Sequence, residues 1–149
     1  MNWAAPFDEL QLGAAFITAG RVVSDADVAA FAALTGDHHP VHTDAAWAAG
    51  SGFGEQIAHG LLVLSCAVGL VPLDPSRVVA LRRISDAVFK RPVTFGEEIH
   101  VEGVVQELRA VGEEAGIVGC RWSIVNSRGQ LCTRASVELL WRAGSRVEA

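Results

Sequence analysis

Apolar positions along the chain follow two periods, and the change from one to the other divides it. In the first half they fall at helical spacing. Val28, Phe31, Ala32 and Leu34 follow Ser24-Asp25-Ala26-Asp27 at helical spacing. That tetrapeptide reads as a capping box, with Ser24 as N-cap and Asp27 reaching back. Gly36 closes this helix as a left-handed C′ residue. Thr43 or Asp44 caps a second short helix, Ala45 to Ala49, ended by Gly50. Leu61 to Leu70 is apolar almost throughout. A helix of that length spans about 15 Å, too short for a bilayer. Being apolar all round, it must be covered on every side. Pro72 stops it.

Beyond Pro72 the pattern turns to strands, and the period drops to two. Val78 to Ala87 and Val88 to Val93 read as two strands or one long bent strand. Ile99, Val101, Gly103 and Val105 alternate with His100, Glu102 and Val104. Gly112 to Gly116 is a turn, and Val118, Cys120, Trp122 and Ile124 form an apolar face after it. Asn126-Ser127-Arg128-Gly129 is a hairpin turn. Leu131, Thr133, Ala135, Val137, Leu139 and Trp141 line one face of the last strand, and Cys132, Arg134, Ser136 and Glu138 the other. Before the first helix, residues 1–13 look like a lead-in and Ala14 to Val23 a strand; Arg142 onward looks like a frayed tail. Helices early and antiparallel strands late predict an α+β fold, a curved antiparallel sheet wrapped around the Leu61–Leu70 helix.

Size and charge narrow the partners. The 149 residues suit a single domain, 1–149, with one core. A net charge of -5 is a poor field for nucleic acid. The local cluster Arg82, Arg83, Lys90 and Arg91 either contacts a few phosphates of a cofactor or decorates solvated strand ends. No apolar run is long enough for a membrane span. The start Met1-Asn2-Trp3-Ala4-Ala5-Pro6 lacks the pattern of a secretion signal. Cys66, Cys120 and Cys132 are odd in number and widely spaced, against a disulfide framework or zinc ribbon, so a reducing, cytoplasmic setting is the default.

Titratable groups concentrate in Leu34-Thr35-Gly36-Asp37-His38-His39-Pro40-Val41-His42. An imidazole titrates near neutrality and can take and return a proton, while a carboxylate can share that work or orient the ring. Pro40 fixes its own φ and restricts His39, so the loop has little entropy left to lose. The alternatives are that Asp37 only caps local backbone N–H groups, or that Asp37, His38, His39 and His42 ligate a metal. No helix presents such ligands and no separate fourth ligand is evident, so no metal is expected.

That loop, followed by Ala48, resembles the hydratase signature of the MaoC-like dehydratases, a hot dog family that includes the R-specific enoyl-CoA hydratases. Phe53 with Ile57-Ala58-His59-Gly60 resembles its second motif, and Phe89-Lys90-Arg91-Pro92-Val93-Thr94-Phe95-Gly96-Glu97 its third. The resemblance runs from about Ile17 to Trp141. It implies reversible hydration of trans-2-enoyl thioesters to (R)-3-hydroxyacyl thioesters, carried by coenzyme A or an acyl carrier protein. It makes Asp37 and His42 the acid–base pair and the Gly60 N–H the oxyanion donor, with no metal or redox cofactor. It also implies a homodimer or dimer of dimers. His39, Phe53, His59, Ser65, Arg83 and Arg91 are candidates for substrate contacts, although His59 also reads as a buried histidine bonded to backbone. Two positions depart from the family: His39 stands where Asn is usual, and Val68 where some members carry a helix serine. Ser65, on the same helical face, either replaces that serine or the support is absent. A hot dog thioesterase is the alternative activity, weakened by the lack of a carboxylate in Leu61–Leu70. One subunit of a heterodimeric dehydratase is the alternative assembly.

Overall fold

The computed structural model describes residues 1–144. In chain order it contains a 3₁₀ turn (Phe7–Glu9), β1 (Ala15–Ile17), β2 (Arg21–Val23), α1 (Asp25–Thr35), α2 (Pro40–Thr43), α3 (Ala45–Ala49), α4 (Gly60–Leu70), β3 (Val78–Phe89), β4 (Glu97–Val111), β5 (Ala115–Asn126) and β6 (Leu131–Arg142). The strands form one antiparallel sheet in the order β1-β4-β5-β6-β3, with β2 also on β4. The α+β arrangement read from the periodicity is therefore present.

The core lies between α4 and the sheet. Leu62, Val63, Cys66 and Ala67 of the helix pack with Val101, Trp122, Ile124, Ala135 and Val137 of the strands. The expected alternation holds along β4, where Ile99, Val101 and Val105 are buried, and along β6 from Thr133 to Trp141. Cys132 departs from it. Ile124 pairs with Thr133 but Val125 pairs with Leu131, so Cys132 sits in a bulge and is buried although assigned to the outer face. Its carbonyl accepts from the N–H groups of both Lys90 and Arg91.

Several boundaries differ from those expected. Residues 14–23 form two short strands rather than one. Of the two readings for residues 78–93, the single long bent strand forms, but it ends at Phe89 rather than Val93; it has three register shifts, the last spanning Asp86, which has φ 52°. Asp is among the few residues that tolerate that conformation. The lead-in, residues 1–13, packs Met1, Trp3, Phe7 and Leu10 against the core. Trp3 meets Trp141 and Phe16, and the Trp141 indole N–H donates to the Ala5 carbonyl at 2.9 Å. Gly116, expected in a turn, lies inside β5, and the Phe7 ring occupies the space a Cβ there would need. At the other end, Arg142 closes β6, and the Ala143 and Gly144 N–H groups bond Glu114 and Asp8; the rest of the expected tail lies outside the described residues. Nor is α4 covered on every side: Leu61, Ser65 and Gly69, four residues apart, form an exposed stripe.

Candidate active site

The capping box forms as read. The Asp27 N–H donates to Ser24 Oγ at 3.1 Å and the Ser24 N–H to Asp27 Oδ2 at 2.9 Å. Val28 and Ala32 of α1 are buried, Phe31 is half-buried and Leu34 faces solvent. Gly36 takes φ 78° and reverses the chain, which places Asp37 at the mouth of a cavity. The residues after it form a single helical turn, α2, rather than an irregular loop. Pro40 at its first position already has the required φ and has no N–H to satisfy. His39 caps it, with Nδ1 accepting from the Val41 N–H at 3.2 Å. Its ring stands edge-on to Trp47 at 5.4 Å. Asp44, rather than Thr43, caps α3 through the Trp47 N–H at 2.9 Å.

The turn of α2 points His42 back toward Asp37. His42 Nδ1 lies 2.7 Å from the Ile57 carbonyl, and Gln56 Nε2 donates to the His42 carbonyl at 2.9 Å. A carbonyl only accepts, so the His42 proton is on Nδ1 and Nε2 carries the lone pair. Burial is the main cause that holds the His42 imidazole below its ordinary value, with smaller effects from His59 and His39 in the same direction; the Ile57 carbonyl and the Asp37 carboxylate oppose them. Asp37 is half exposed. Its Oδ1 accepts from the His39 N–H at 3.2 Å, so it also performs the local capping considered as its alternative role. One ligating atom each of Asp37, His42 and His59 lie within 4.8 Å of one another. That donor set could take a divalent cation, but His59 Nε2, the nitrogen that faces Asp37, lies 2.9 Å from the Asp37 backbone carbonyl and so carries the ring's proton rather than a lone pair.

These groups open onto a cavity of about 440 Å³ whose walls are mostly apolar, among them Phe31, Phe53, Ile57, Leu61 and Phe89. Gly60 lies in the same wall. The first backbone bond of α4 runs from the Val63 N–H to the His59 carbonyl, and His59 supplies no side-chain cap. The N–H groups of Gly60 and Leu61 therefore precede the helical ladder and are aligned with its dipole. Gly60 lies close to Phe89: a Cβ there would stand 2.7 Å from the Phe89 ring, which would have to shift.

Of the residues singled out in the sequence, the cavity gathers Asp37, His42, Phe53, His59, Gly60 and Arg91. It does not include His39, Ser65 or Arg83. Ser65 is exposed and donates to the Leu61 carbonyl at 2.7 Å. Arg83 lies 3.8 Å from Glu138, and Arg82 also pairs with Glu138, so the basic cluster divides: Arg82 and Arg83 on the sheet, Lys90 and Arg91 at the cavity. Periodicity did not single out Phe31, Ile57 or Thr133 as cavity residues, since a helix face, a loop and a strand bring them together. Burial raises all three thiols, Cys120 to about 12, which removes them as nucleophiles near neutrality.

The MaoC like domain family matches residues 9–121. The (R)-specific enoyl-CoA hydratase of Aeromonas caviae is 39% identical over 84 residues, 56% of this chain and 63% of that protein. The 3-hydroxybutyryl-CoA dehydratase of Methylorubrum extorquens is 33% identical over 105 residues, 68% of this chain and 64% of that protein. The chain spans less than two thirds of the length of the curated relatives it matches. Among solved structures, a monoamine oxidase regulatory protein from Archaeoglobus fulgidus superposes with a TM-score of 0.88 at 36% identity, covering 93% of this chain and 95% of that one. A Mycobacterium tuberculosis protein described as a double hotdog fold superposes with a TM-score of 0.85 at 24% identity, covering 99% of this chain and 47% of that one, which shows the hot dog fold.

Proposed function

Because the chain belongs to the MaoC-like family, we propose that it reversibly hydrates trans-2-enoyl thioesters to (R)-3-hydroxyacyl thioesters, with coenzyme A or an acyl carrier protein as carrier. One observation carries the reading. Among the described residues, a carboxylate, an imidazole whose Nε2 carries a lone pair and a helix-start N–H that precedes the helical ladder meet at one mostly apolar cavity. In this reading the thioester carbonyl oxygen accepts from the Gly60 N–H. Negative charge grows on that oxygen as the enolate forms, where the dipole of α4 favours it. A water held between Asp37 and His42 gives a proton to the pair as its oxygen bonds C3. The pair returns a proton to C2, and dehydration retraces the same path. The acyl chain lies along Phe31, Phe53 and Phe89, and Lys90 and Arg91 suit the carrier phosphates. No step calls for a metal or redox cofactor.

A second copy of the chain suits the edge strand β3. Val79, Leu81, Val88 and Phe89 are apolar and exposed along it, and a long unpaired edge invites pairing with another strand. A homodimer or dimer of dimers would cover them. Among the described residues no helix is long and apolar enough to cross a membrane.

The test is kinetic. Purified protein is expected to hydrate crotonyl-CoA or a longer enoyl-CoA, and Asp37→Asn to lower kcat by about 10²–10⁴-fold with the fold intact. Equal turnover in that variant would remove the mechanism. Thiol release without hydration would favour the thioesterase reading.

A further inference from the structure

We propose that His59 is a positioning residue for both members of the pair: it holds the backbone of Asp37 through a hydrogen bond and shields one face of His42 from water. The geometry stands apart from the activity, while the catalytic consequence rests on the hydration reading above.

The His59 ring is 2% exposed. Its Nε2 lies 2.9 Å from the Asp37 backbone carbonyl, across 22 residues of chain. The proton is therefore on Nε2, the tautomer opposite to that of His42. The two rings stack at 3.8 Å with 29° between their planes, and Phe31 packs against His59 at 5.0 Å. One buried ring thus touches Asp37 by a hydrogen bond and His42 by its face. The other nitrogen, Nδ1, is buried and has no hydrogen-bond partner among the described residues. A phenylalanine would fill the same volume without that unpaired atom, so packing alone does not account for an imidazole here.

Water is excluded from the stacked face of His42, and dryness disfavours the charged ring. The other groups around His42 are Asp37, which favours the cation, and His39, which disfavours it, with Lys90 and Arg91 lining the same cavity. His59 accordingly helps keep His42 as a proton acceptor near neutrality.

Two variants separate the two contacts. In His59→Gln the amide can still donate to the Asp37 carbonyl, but the stack is lost. In His59→Phe the stack is kept and the hydrogen bond is lost. Imidazole resonances followed by NMR against pH need no turnover. His42 is expected to titrate at least about half a pH unit higher in His59→Gln than in the unsubstituted protein. The acid limb of kcat/KM should move up with it. His59→Phe should lower kcat by about tenfold with little change in KM, as Asp37 loses its anchor. In the unsubstituted protein, nitrogen shifts should place the proton on Nδ1 of His42 and on Nε2 of His59. An unmoved His42 titration in His59→Gln, or His59 protonated on Nδ1 alone, overturns the proposal. If the titrations behave as stated and no enoyl thioester is hydrated, the hydration reading fails while the role of His59 as shield and anchor stands.

Discussion

His42 Nδ1 lies 2.7 Å from the carbonyl oxygen of Ile57, 15 residues further along the chain. The bond fixes the ring's tautomer and orientation, so the lone pair on Nε2 is ready before substrate arrives. It also tends to raise the affinity of the ring for a proton, against the larger effect of burial, which lowers it.

The net direction gives a pH prediction. A general base works when neutral, so kcat/KM should hold through the ordinary histidine value of 6.5 and fall only below it. Stability follows the same sign. The folded ring binds a proton less readily than the unfolded one, so this contribution is complete above the ordinary value and is lost as pH falls through the lowered one. A pH–rate profile beside urea titrations at several pH values checks both; an acid limb above 6.5 would contradict the buried base.

Gly60 and Phe89 make a second prediction. Gly60→Ala would place a methyl 2.7 Å from the Phe89 ring. Phe89 is 50% exposed and can swing away, so stability should change by less than about 1 kcal/mol. Turnover should fall by about 10- to 100-fold, because crowding against the ring moves the helix start and its N–H away from the thioester. Adding Phe89→Ala to the same chain should recover part of that loss. Steady-state kinetics and a denaturation curve on the single and double variants decide it; no recovery would show that crowding is not the cause.

Trp141 tests the cover formed by the first residues. Its ring is fully buried, packs against Trp3 at a tilt and donates to Ala5. Trp141→Ala should cost about 3–5 kcal/mol in chemical denaturation. Trp141→Phe should cost less, about 1–3 kcal/mol, since it leaves the Ala5 carbonyl without its donor but keeps most of the volume. Equal losses would mean that the ring's volume contributes little.

Leu81 tests the assembly. It lies on β3 and is 40% exposed, so a charge there should leave the single chain folded. Leu81→Lys is expected to shift sedimentation from a dimer toward a monomer, because a lysine on a strand edge opposes pairing. An unchanged dimer would place the contact elsewhere.

How much of this was legible in the sequence depends on the range of each interaction. The capping box Ser24–Asp27 and the αL residue Gly36 act within one turn, and both formed as read. The strand faces of β4 and β6 were legible because side chains alternate by geometry, and the exception, Cys132, lies at a bulge that no period announces. Ser65 and Arg83 carried the right chemistry for a site, but the helix face and the Glu138 pairing direct them elsewhere.

The sequence by itself determined the two long helices, the alternating faces of the late strands and the concentration of titratable residues in one short segment. Those outcomes depend on neighbours a few residues apart, whose spacing is a property of the chain. Only the tertiary structure decided that His59 lies against His42, that Ile57 selects the tautomer and that Phe31 and Phe89 close one cavity. Such contacts join residues far apart in the chain, and hydrophobic packing, which is non-directional, leaves no local signal of which distant side chain will arrive.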